Sequence, residues 1–377
     1  MQNLFMRKLF FIILVSISSF AIAQPFAERS KEEFSSIKLL PATPVKDQAN
    51  TGTCWCFSTT SLLESQCMKT SKQELNLSEM FTVRNIYIEK AKNYILRQGK
   101  AQFGEGGLGH DVIRSIGLYG AVPDTIYSGL KPGQKRHNHS VLERQLEQYL
   151  IDVLKKRPVP ENWLEGYTKI LDEGLGKAPT EFNYNGKTYT PTSFAKDVMK
   201  FNADDYVNIT SFTHHPYYKP FVLEAPDNFS NGAYYNLPLE IMIEVVKDAV
   251  SKGYTVMWDA DVSNNGFRQN RGLALYLGDS NDGTFSPETK EGSWDAAKRQ
   301  SLYEDLTTED DHLMHIVGTE KSKEGKLFFI VKNSWGKVGP YDGYINVSES
   351  YFAINTVSLV LPKAALSKEL LAKLEIR

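Results

Sequence analysis

Cysteine is scarce in this 377-residue chain, which contains only Cys54, Cys56 and Cys67. All three fall within one predicted helix, where a rise of ~1.5 Å per residue places Cys56 and Cys67 ~16 Å apart. That separation is far beyond the reach of a disulfide bond. The sequence therefore predicts a fold that is held together by its core without disulfide bridges, and it leaves a free thiol that needs another purpose.

The chain also lacks an excess of either charge, because 43 basic residues stand against 45 acidic ones. This balance gives no electrostatic reason to expect a nucleic-acid partner or an acidic lipid surface. Beyond the N-terminus, no hydrophobic stretch approaches the ~20 apolar residues that a membrane-spanning helix needs. We therefore expect neither nucleic-acid binding nor a stable membrane anchor.

The single apolar run, residues 9–20, follows two basic residues and precedes Ala21 and Ala23, which are small residues at the positions that a signal peptidase reads. This order is typical of an export signal, and the run is shorter than a membrane span. A signal peptide at residues 1–23 is therefore favoured over an anchor. The mature chain would begin at residue 24, and it would be periplasmic or secreted.

The periodicity of apolar residues divides the chain into a helical part followed by a strand-rich part. Helices are predicted at residues 54–69, 77–96, 111–118, 140–156 and 239–252. Strands are predicted at residues 255–258, 315–317, 327–331 and 343–347. Helices followed by an antiparallel sheet indicate an α+β fold.

The segment from Pro44 to Ser58 carries the most chemical information. Cys54 lies in the first turn of a predicted helix, where the peptide dipoles favour a thiolate over a thiol. Gln48 lies six residues earlier, and its amide could donate to an oxyanion together with the Cys54 N–H. On the cysteine alone, a buried small hydrophobic residue is the alternative interpretation.

Gln48, Gly52-Thr53-Cys54-Trp55 and Phe57-Ser58 together resemble the active-site loop and helix of papain-like cysteine peptidases. Thr51 departs from the pattern, since many members have a disulfide cysteine there. The resemblance implies a papain-like fold, with a helical left domain and an antiparallel β right domain. It also implies that Cys54 is the nucleophile and that Gln48 contributes to the oxyanion hole.

Two histidines compete for the role of base in the segment from Asp311 to Gly318. In the family, the catalytic histidine precedes a glycine of its strand by six positions, which selects His312. His315 falls on the other face of a period-two strand and is interpreted as a core or subsite residue. Asn333-Ser334-Trp335-Gly336 resembles the family segment in which the asparagine orients the imidazole and the tryptophan covers their hydrogen bond. Taken alone, this motif could also be a turn at the end of a strand.

Gly106 and Gly107 lie in a glycine-dense loop and resemble the paired glycines that line the substrate cleft of the family. Backbone without side chains can pair with an extended peptide there. A plain turn is the alternative. His214 and His215 are adjacent and lack the spaced ligands of a zinc site, so no metal and no cofactor are expected.

An insertion separates the two halves of this predicted site. Cys54 and His312 lie 258 positions apart, whereas the papain pattern has about 130–150. A large, mostly helical insertion is therefore expected at about residues 130–240, within one peptidase domain at 24–377. It resembles that of bleomycin hydrolases and bacterial aminopeptidase C in residues 189–194, 204–207, 217–220 and 235–238. This resemblance implies an aminopeptidase acting on peptides, and a homo-oligomer, which is a hexamer in relatives.

The C-terminal segment departs from that family. In the family, a C-terminal arm enters the cleft and restricts the enzyme to aminopeptidase action. Here one short helix is expected at about residues 367–374, and the arm is not evident. The sequence therefore leaves two alternative functions: an endopeptidase with an open cleft, and a non-catalytic papain-fold protein that binds peptides. The complete set of Gln, Cys, His and Asn argues against the second, and Gln48 and Asn333 argue against a transglutaminase or amidase.

Overall fold

The computed structural model describes residues 34–278 and 283–376, which form α-helices packed around a large mixed sheet. The predicted α+β class is confirmed. The predicted signal peptide at 1–23 lies outside the described residues and stays a prediction. Among the described residues, no helix has the length and apolar character to cross a membrane.

The helices fall mainly in the first two-thirds of the chain. They are α1 (Cys54–Thr70), α2 (Glu79–Leu96), α3 (Gly109–Tyr119), α4 (Ser140–Leu154), α5 (Trp163–Leu175), α6 (Pro191–Asp197), α7 (Leu239–Ser251), α8 (Ala296–Glu304), α9 (Glu349–Asn355) and α10 (Lys368–Lys373). The helix predicted from residue 77 begins at Glu79, because the Ser78 hydroxyl caps it by accepting a hydrogen bond from the Phe81 N–H at 3.0 Å.

The strands are β1 (Phe34–Leu39), β2 (Phe182–Tyr184), β3 (Lys187–Tyr189), β4 (Tyr206–Thr210), β5 (Pro220–Val222), β6 (Ala233–Asn236), β7 (Val256–Ala260), β8 (Phe267–Arg268), β9 (Leu273–Ala274), β10 (His312–Ser322), β11 (Leu327–Lys332), β12 (Tyr344–Ser348) and β13 (Thr356–Pro362). The main sheet has the order β5-β6-β4-β13-β7-β10-β11-β12-β9-β8, and β1 also pairs with β10. The β4–β6 and β9–β12 pairs are parallel, and the other pairs are antiparallel.

The central strands are buried on both faces, because two separate cores lie against them. Met257 and Leu313 belong to the core that includes α1, α2 and α3. Their neighbours Trp258 and Met314 belong to the core that includes α7 and α9. This period-two division explains why β7 begins as a continuous apolar run in the sequence.

The segment at about 130–240, which the sequence analysis interprets as an insertion, contains α4, α5 and α6 together with the short strands β2 to β6. β4 pairs with β13, so this segment extends the main sheet as well as covering the helical side. The strand predicted at 315–317 is longer than expected, since β10 runs from His312 to Ser322. Residues around His312 are polar and did not read as a strand.

Arg299 on α8 joins three segments of this framework from a buried position. Its guanidinium donates to the carbonyls of Ser211, Ala353 and Ile354 at 2.7, 3.1 and 3.2 Å. Arg299→Ala would leave these carbonyls without that donor, so we expect a loss of about 3 kcal/mol in the free energy of unfolding. Urea denaturation with the exposed neighbour variant Lys298→Ala as control measures this, and equal midpoints for the two variants would contradict it.

Candidate active site

The N-terminus of α1 carries the predicted nucleophile at its first residue. The side chain of Thr51 fixes the turn that leads into the helix, because its hydroxyl donates to the Gln48 carbonyl at 2.8 Å and lies 2.6 Å from the hydroxyl of Thr53. Cys54 is 8% exposed, and its N–H is among the first four of the helix, which have no partner within it. All three cysteines are free and buried, as the sequence predicted.

A backbone connection joins this turn to the strand end that holds Asn333. The Gln48 N–H donates to the Ser334 carbonyl at 2.8 Å, and the Gly336 N–H donates to the Lys46 carbonyl at 3.0 Å. Asp47 and Trp335 form an isolated antiparallel bridge between these bonds. Two segments nearly 290 residues apart in sequence are therefore held in register beside Cys54.

The Gln48 side chain is buried and fixed at both ends of its amide. Its Oε1 accepts a hydrogen bond from the Ser334 hydroxyl at 2.6 Å, and its Nε2 donates to the Thr51 carbonyl at 2.8 Å. An amide nitrogen carries two protons, and the bond to Thr51 uses one of them. The other remains available for an oxyanion.

His312 and Asn333 meet as the sequence predicted. The His312 Nε2 lies 2.7 Å from the Asn333 Oδ1, so the imidazole donates and the amide oxygen accepts. The ring of Trp335 stacks on the imidazole with centroids 4.6 Å apart and an angle of 29° between the planes. His312 is buried beneath this ring. The Nε2 proton is thereby fixed, which leaves Nδ1 to exchange a proton with another group.

Gln269 is a site residue that the sequence analysis did not identify. Its Oε1 accepts a hydrogen bond from the Asn333 Nδ2 at 3.0 Å. The Asn333 Oδ1 also accepts from the Ser334 N–H at 2.7 Å. These two bonds fix which way the amide points, so its oxygen faces the imidazole. A lone glutamine at the start of a short 3₁₀ helix, Gln269–Arg271, carries no sequence signal for such a role.

The thiol of Cys54 lies beside the first residues of β10. The Leu313 N–H hydrogen-bonds the Cys54 side chain, and Leu313 directly follows His312. Burial raises the pKa of Cys54 to about 12, against the effect of that hydrogen bond. Burial also lowers the pKa of His312 to about 4, against the effect of the hydrogen bond that His312 donates to Asn333. A thiolate or an imidazolium alone is therefore disfavoured here.

His315 belongs to a different network, on the side of β10 that faces α1. Its Nδ1 lies 2.8 Å from the Ser61 hydroxyl, which accepts a hydrogen bond from the Lys332 ammonium at 2.7 Å. The Ser61 proton therefore points to His315, whose imidazole is neutral. Burial and the charge of Lys332 hold its pKa well below the usual value. This matches the prediction of a core role.

The two glycines of the predicted cleft lie in a loop that is fastened to α1. The Trp55 indole N–H donates to the Glu105 carbonyl at 3.0 Å, and a Cβ on Gly107 would press against the Trp55 ring at 3.1 Å. The Lys90 ammonium donates to the carbonyls of Gly104 and Gly106 at 2.7 and 2.6 Å. Gly107 is therefore required by the close approach of its backbone to the indole.

His214 and His215 have a third possible ligand that is distant in sequence. Their Nε2 atoms lie 3.3 and 2.8 Å from the two carboxylate oxygens of Glu224. The three residues form the one group of possible metal ligands found among the described residues. Each imidazole is already hydrogen-bonded to the carboxylate, and the group lies at the surface.

Comparison with known proteins agrees with this geometry. Residues 176–377 match the model of the Peptidase C1-like family, which is more than half of the chain. The chain belongs to the Peptidase C1-like family. Residues 33–84 of the peptidase, which include Gln48 and Cys54, also match the model of the papain family cysteine proteases.

Curated relatives align with most of the peptidase. Aminopeptidase G of Lactobacillus delbrueckii subsp. lactis is 24% identical over 375 residues, which cover 88% of this chain and 83% of the relative. Aminopeptidase C of Streptococcus thermophilus is 25% identical, with the same coverage. Bleomycin hydrolase of Gallus gallus is 22% identical, again over 88% of this chain and 83% of the relative.

A solved structure shares the fold. PepW of Lactobacillus rhamnosis HN001 superposes with a TM-score of 0.72 at 19% identity, over 93% of this chain and 86% of PepW. The predicted papain-like fold of the aminopeptidase C and bleomycin hydrolase type is therefore confirmed.

Proposed function

We propose that this peptidase removes N-terminal residues from peptides, with Cys54 as nucleophile, His312 as general acid and base, and Asn333 as the residue that orients His312. The observation that carries the proposal is the hydrogen bond between His312 and Asn333 beneath Trp335, next to the N-terminus of the helix that begins at Cys54. The relatives named aminopeptidase G and aminopeptidase C support the exopeptidase reading.

The charges of the reacting pair are formed together. Burial disfavours each charge alone, but transfer of the proton from the Cys54 sulfur to the His312 Nδ1 creates a thiolate and an imidazolium side by side. Their mutual attraction is strong in a buried site, and the Leu313 N–H and the helix N-terminus stabilise the thiolate. The Asn333 oxygen stabilises the imidazolium through Nε2.

The reaction is acyl transfer in two steps. The thiolate adds to the peptide carbonyl carbon, and the oxyanion that forms accepts from the Cys54 N–H and the free proton of the Gln48 amide. The C–N bond then breaks as His312 gives its proton to the leaving amine. In the second step His312 takes a proton from water as the hydroxide adds to the thioester carbonyl. The C–S bond then breaks, the carboxylic acid product leaves, and His312 returns its proton to the Cys54 sulfur.

The function is tested on the purified protein under reducing conditions with fluorogenic aminoacyl and peptidyl amides. We expect hydrolysis that one equivalent of iodoacetamide abolishes, because the reactive thiol is the nucleophile. The alternatives from the sequence analysis are outcomes of this test. Cleavage of N-blocked peptides with equal efficiency would indicate an endopeptidase, and binding without hydrolysis would indicate a peptide-binding protein.

Gln48→Ala tests the oxyanion hole separately from the nucleophile. We expect kcat to fall about 10²- to 10³-fold with little change in KM, because the amide acts on the oxyanion and not on the bound substrate. Steady-state kinetics on an aminoacyl amide measure the effect, and the exposed variant Gln73→Ala is the matched control. A loss of kcat no larger than that of the control would remove Gln48 from the mechanism.

A further inference from the structure

Three carboxylates lie near Cys54 that the proposed mechanism does not use. Asp259 is in β7, where it pairs with Leu313 of β10, the residue whose N–H reaches the Cys54 sulfur. Asp310 lies two residues before His312. The charges of both raise the pKa of Cys54, which places them within electrostatic reach of the thiol.

Asp259 and Asp310 face each other, and fewer hydrogen-bond donors reach the two carboxyl groups than they have buried oxygen atoms. Asp259 is 0% exposed, and its Oδ2 accepts a hydrogen bond from the Ser358 hydroxyl at 2.9 Å. Its Oδ1 and the Asp310 Oδ2 are buried and have no donor among the described residues. The two carboxyl groups hydrogen-bond each other, which requires one shared proton. The pair therefore keeps one negative charge in a buried position.

The third carboxylate belongs to Asp227, which lies in the loop of residues 223–232 between β5 and β6. Its backbone N–H donates to the Asp310 carboxylate, and its own carboxylate packs so closely on Gly106 that a Cβ there would overlap it. Gly106 is the residue whose backbone was expected to pair with an extended peptide. The Asp227 side chain fills that space instead.

The 223–232 loop is fixed in this position by several contacts. The Ser230 hydroxyl donates to the Asp111 carboxylate at 2.7 Å and lies 2.8 Å from the His110 Nε2. The Asn228 side chain bonds to the Leu223 carbonyl and the Gly232 N–H, closing the loop on itself. The Asp227 carboxylate is therefore held at the cleft by structure on both sides.

These groups lie on the acyl side of the scissile bond. His312 delivers its proton to the leaving amine, so the downstream part of a substrate lies toward His312 and Trp335. The acyl residue bonded to Cys54 then extends toward the wall that contains Gly106 and Asp227. A second acyl residue would need the space beside Gly106, which the Asp227 carboxylate fills.

The charge at this wall suits a single cation. The Lys90 ammonium, held by the carbonyls of Gly104 and Gly106, compensates one carboxylate, and the attraction of Asp227 acts on it most strongly. The protonated Asp259–Asp310 pair and Asp227 together carry two negative charges. One negative charge is therefore left for a ligand, and a primary ammonium supplies the compensating positive charge.

We propose that Asp227 and the Asp259–Asp310 pair form the subsite that binds the free α-ammonium group of a peptide, so that one residue is removed at a time. This rests on the proposed function, since it assumes acyl transfer to Cys54. An acetylated N-terminus has no charge and is too large for the space beside Gly106. An acetylated N-terminus is therefore excluded for two reasons. It would remove water from the carboxylates without supplying a positive charge, and it would overlap the Asp227 side chain.

The test compares three reporters on the full chain: alanyl-aminomethylcoumarin, its N-acetylated twin, and N-acetyl-alanyl-alanyl-aminomethylcoumarin. We expect the wild type to prefer the free amine by about 100-fold or more in kcat/KM. Asp227→Asn and Asp310→Asn should each lower kcat/KM for the free-amine reporter by about 30-fold, mainly through KM. Asp227→Ala should also admit the acetylated dipeptide. The exposed variant Asp204→Asn is the matched control and should behave as wild type.

The rate of Cys54 labelling by iodoacetamide accompanies each variant, and it should stay within a few-fold of wild type if the site is intact. An unchanged preference for the free amine in Asp227→Asn would overturn the subsite while leaving the proposed aminopeptidase function standing. Equal cleavage of the free and acetylated reporters by the wild type would overturn the subsite and indicate the endopeptidase alternative. A wild-type protein that cleaves none of the reporters would refute the proposed function, and the subsite with it.

Discussion

Cys54→Ala is expected to abolish turnover of every peptide reporter, with a fall in kcat of about 10⁴-fold or more. Neither of the other cysteines is placed to form the acyl intermediate, because Cys56 and Cys67 lie further along α1 and donate to the carbonyls of Glu79 and Met199. The fold should persist, since the change removes one sulfur atom at the helix N-terminus. Progress curves with active-site titration measure the loss, and circular dichroism checks the fold.

Cys56→Ala is the matched control for that result. The Cys56 sulfur donates to the Glu79 carbonyl at 3.3 Å, which is a structural contact away from His312. This variant should therefore retain turnover within a few-fold while losing some stability. Substantial turnover in Cys54→Ala, or loss of turnover in Cys56→Ala with the fold intact, would refute the assignment of Cys54 as the nucleophile.

His312→Ala should lower kcat about 10³-fold or more, because both the activation of the thiol and the protonation of the leaving amine depend on this imidazole. His315→Ala should leave kcat within about 10-fold, and it should lower stability by opening the network of Ser61 and Lys332. Both variants are compared side by side in kcat and in thermal midpoint. We therefore expect the larger loss of kcat in His312→Ala and the larger loss of thermal midpoint in His315→Ala.

The iodoacetamide reaction adds a second measurement to this pair. With His312 removed, labelling of Cys54 at neutral pH should slow, because burial keeps the thiol protonated when no imidazole is present. His315→Ala should label as wild type does. If His315→Ala gave the larger loss of kcat at a temperature where it is folded, the assignment of the base would be reversed.

Much of the geometry of the proposed catalytic site was predictable, because its residues sit in short motifs whose local structure positions them. Cys54 begins a helix after a turn that Thr51 and Gln48 close on themselves. Asn333 and Trp335 follow a buried strand directly. The register that separates His312 from His315 follows from the period of a strand, and their different partners bear it out.

The residues that the sequence did not reveal act through contacts between distant segments. Gln269 reaches Asn333 from a short 3₁₀ helix, and Asp227 reaches Gly106 from the loop between β5 and β6, without a motif around either. The Asp259–Asp310 pair depends on the packing of β7 beside the segment before β10. The strands of the insertion were missed for the same reason, since β4 to β6 are three to five residues long and depend on pairing with β13 and with each other.

The most direct test of the central claim is to locate the covalent bond. The wild-type protein is treated with one equivalent of iodoacetamide until turnover is lost, and the modified residue is identified by peptide mass spectrometry. The account predicts one adduct, on Cys54, formed in proportion to the loss of turnover and prevented by a saturating free-amine substrate. An adduct on Cys56 or Cys67 that tracks the loss, or a fully modified Cys54 with turnover retained, would contradict it.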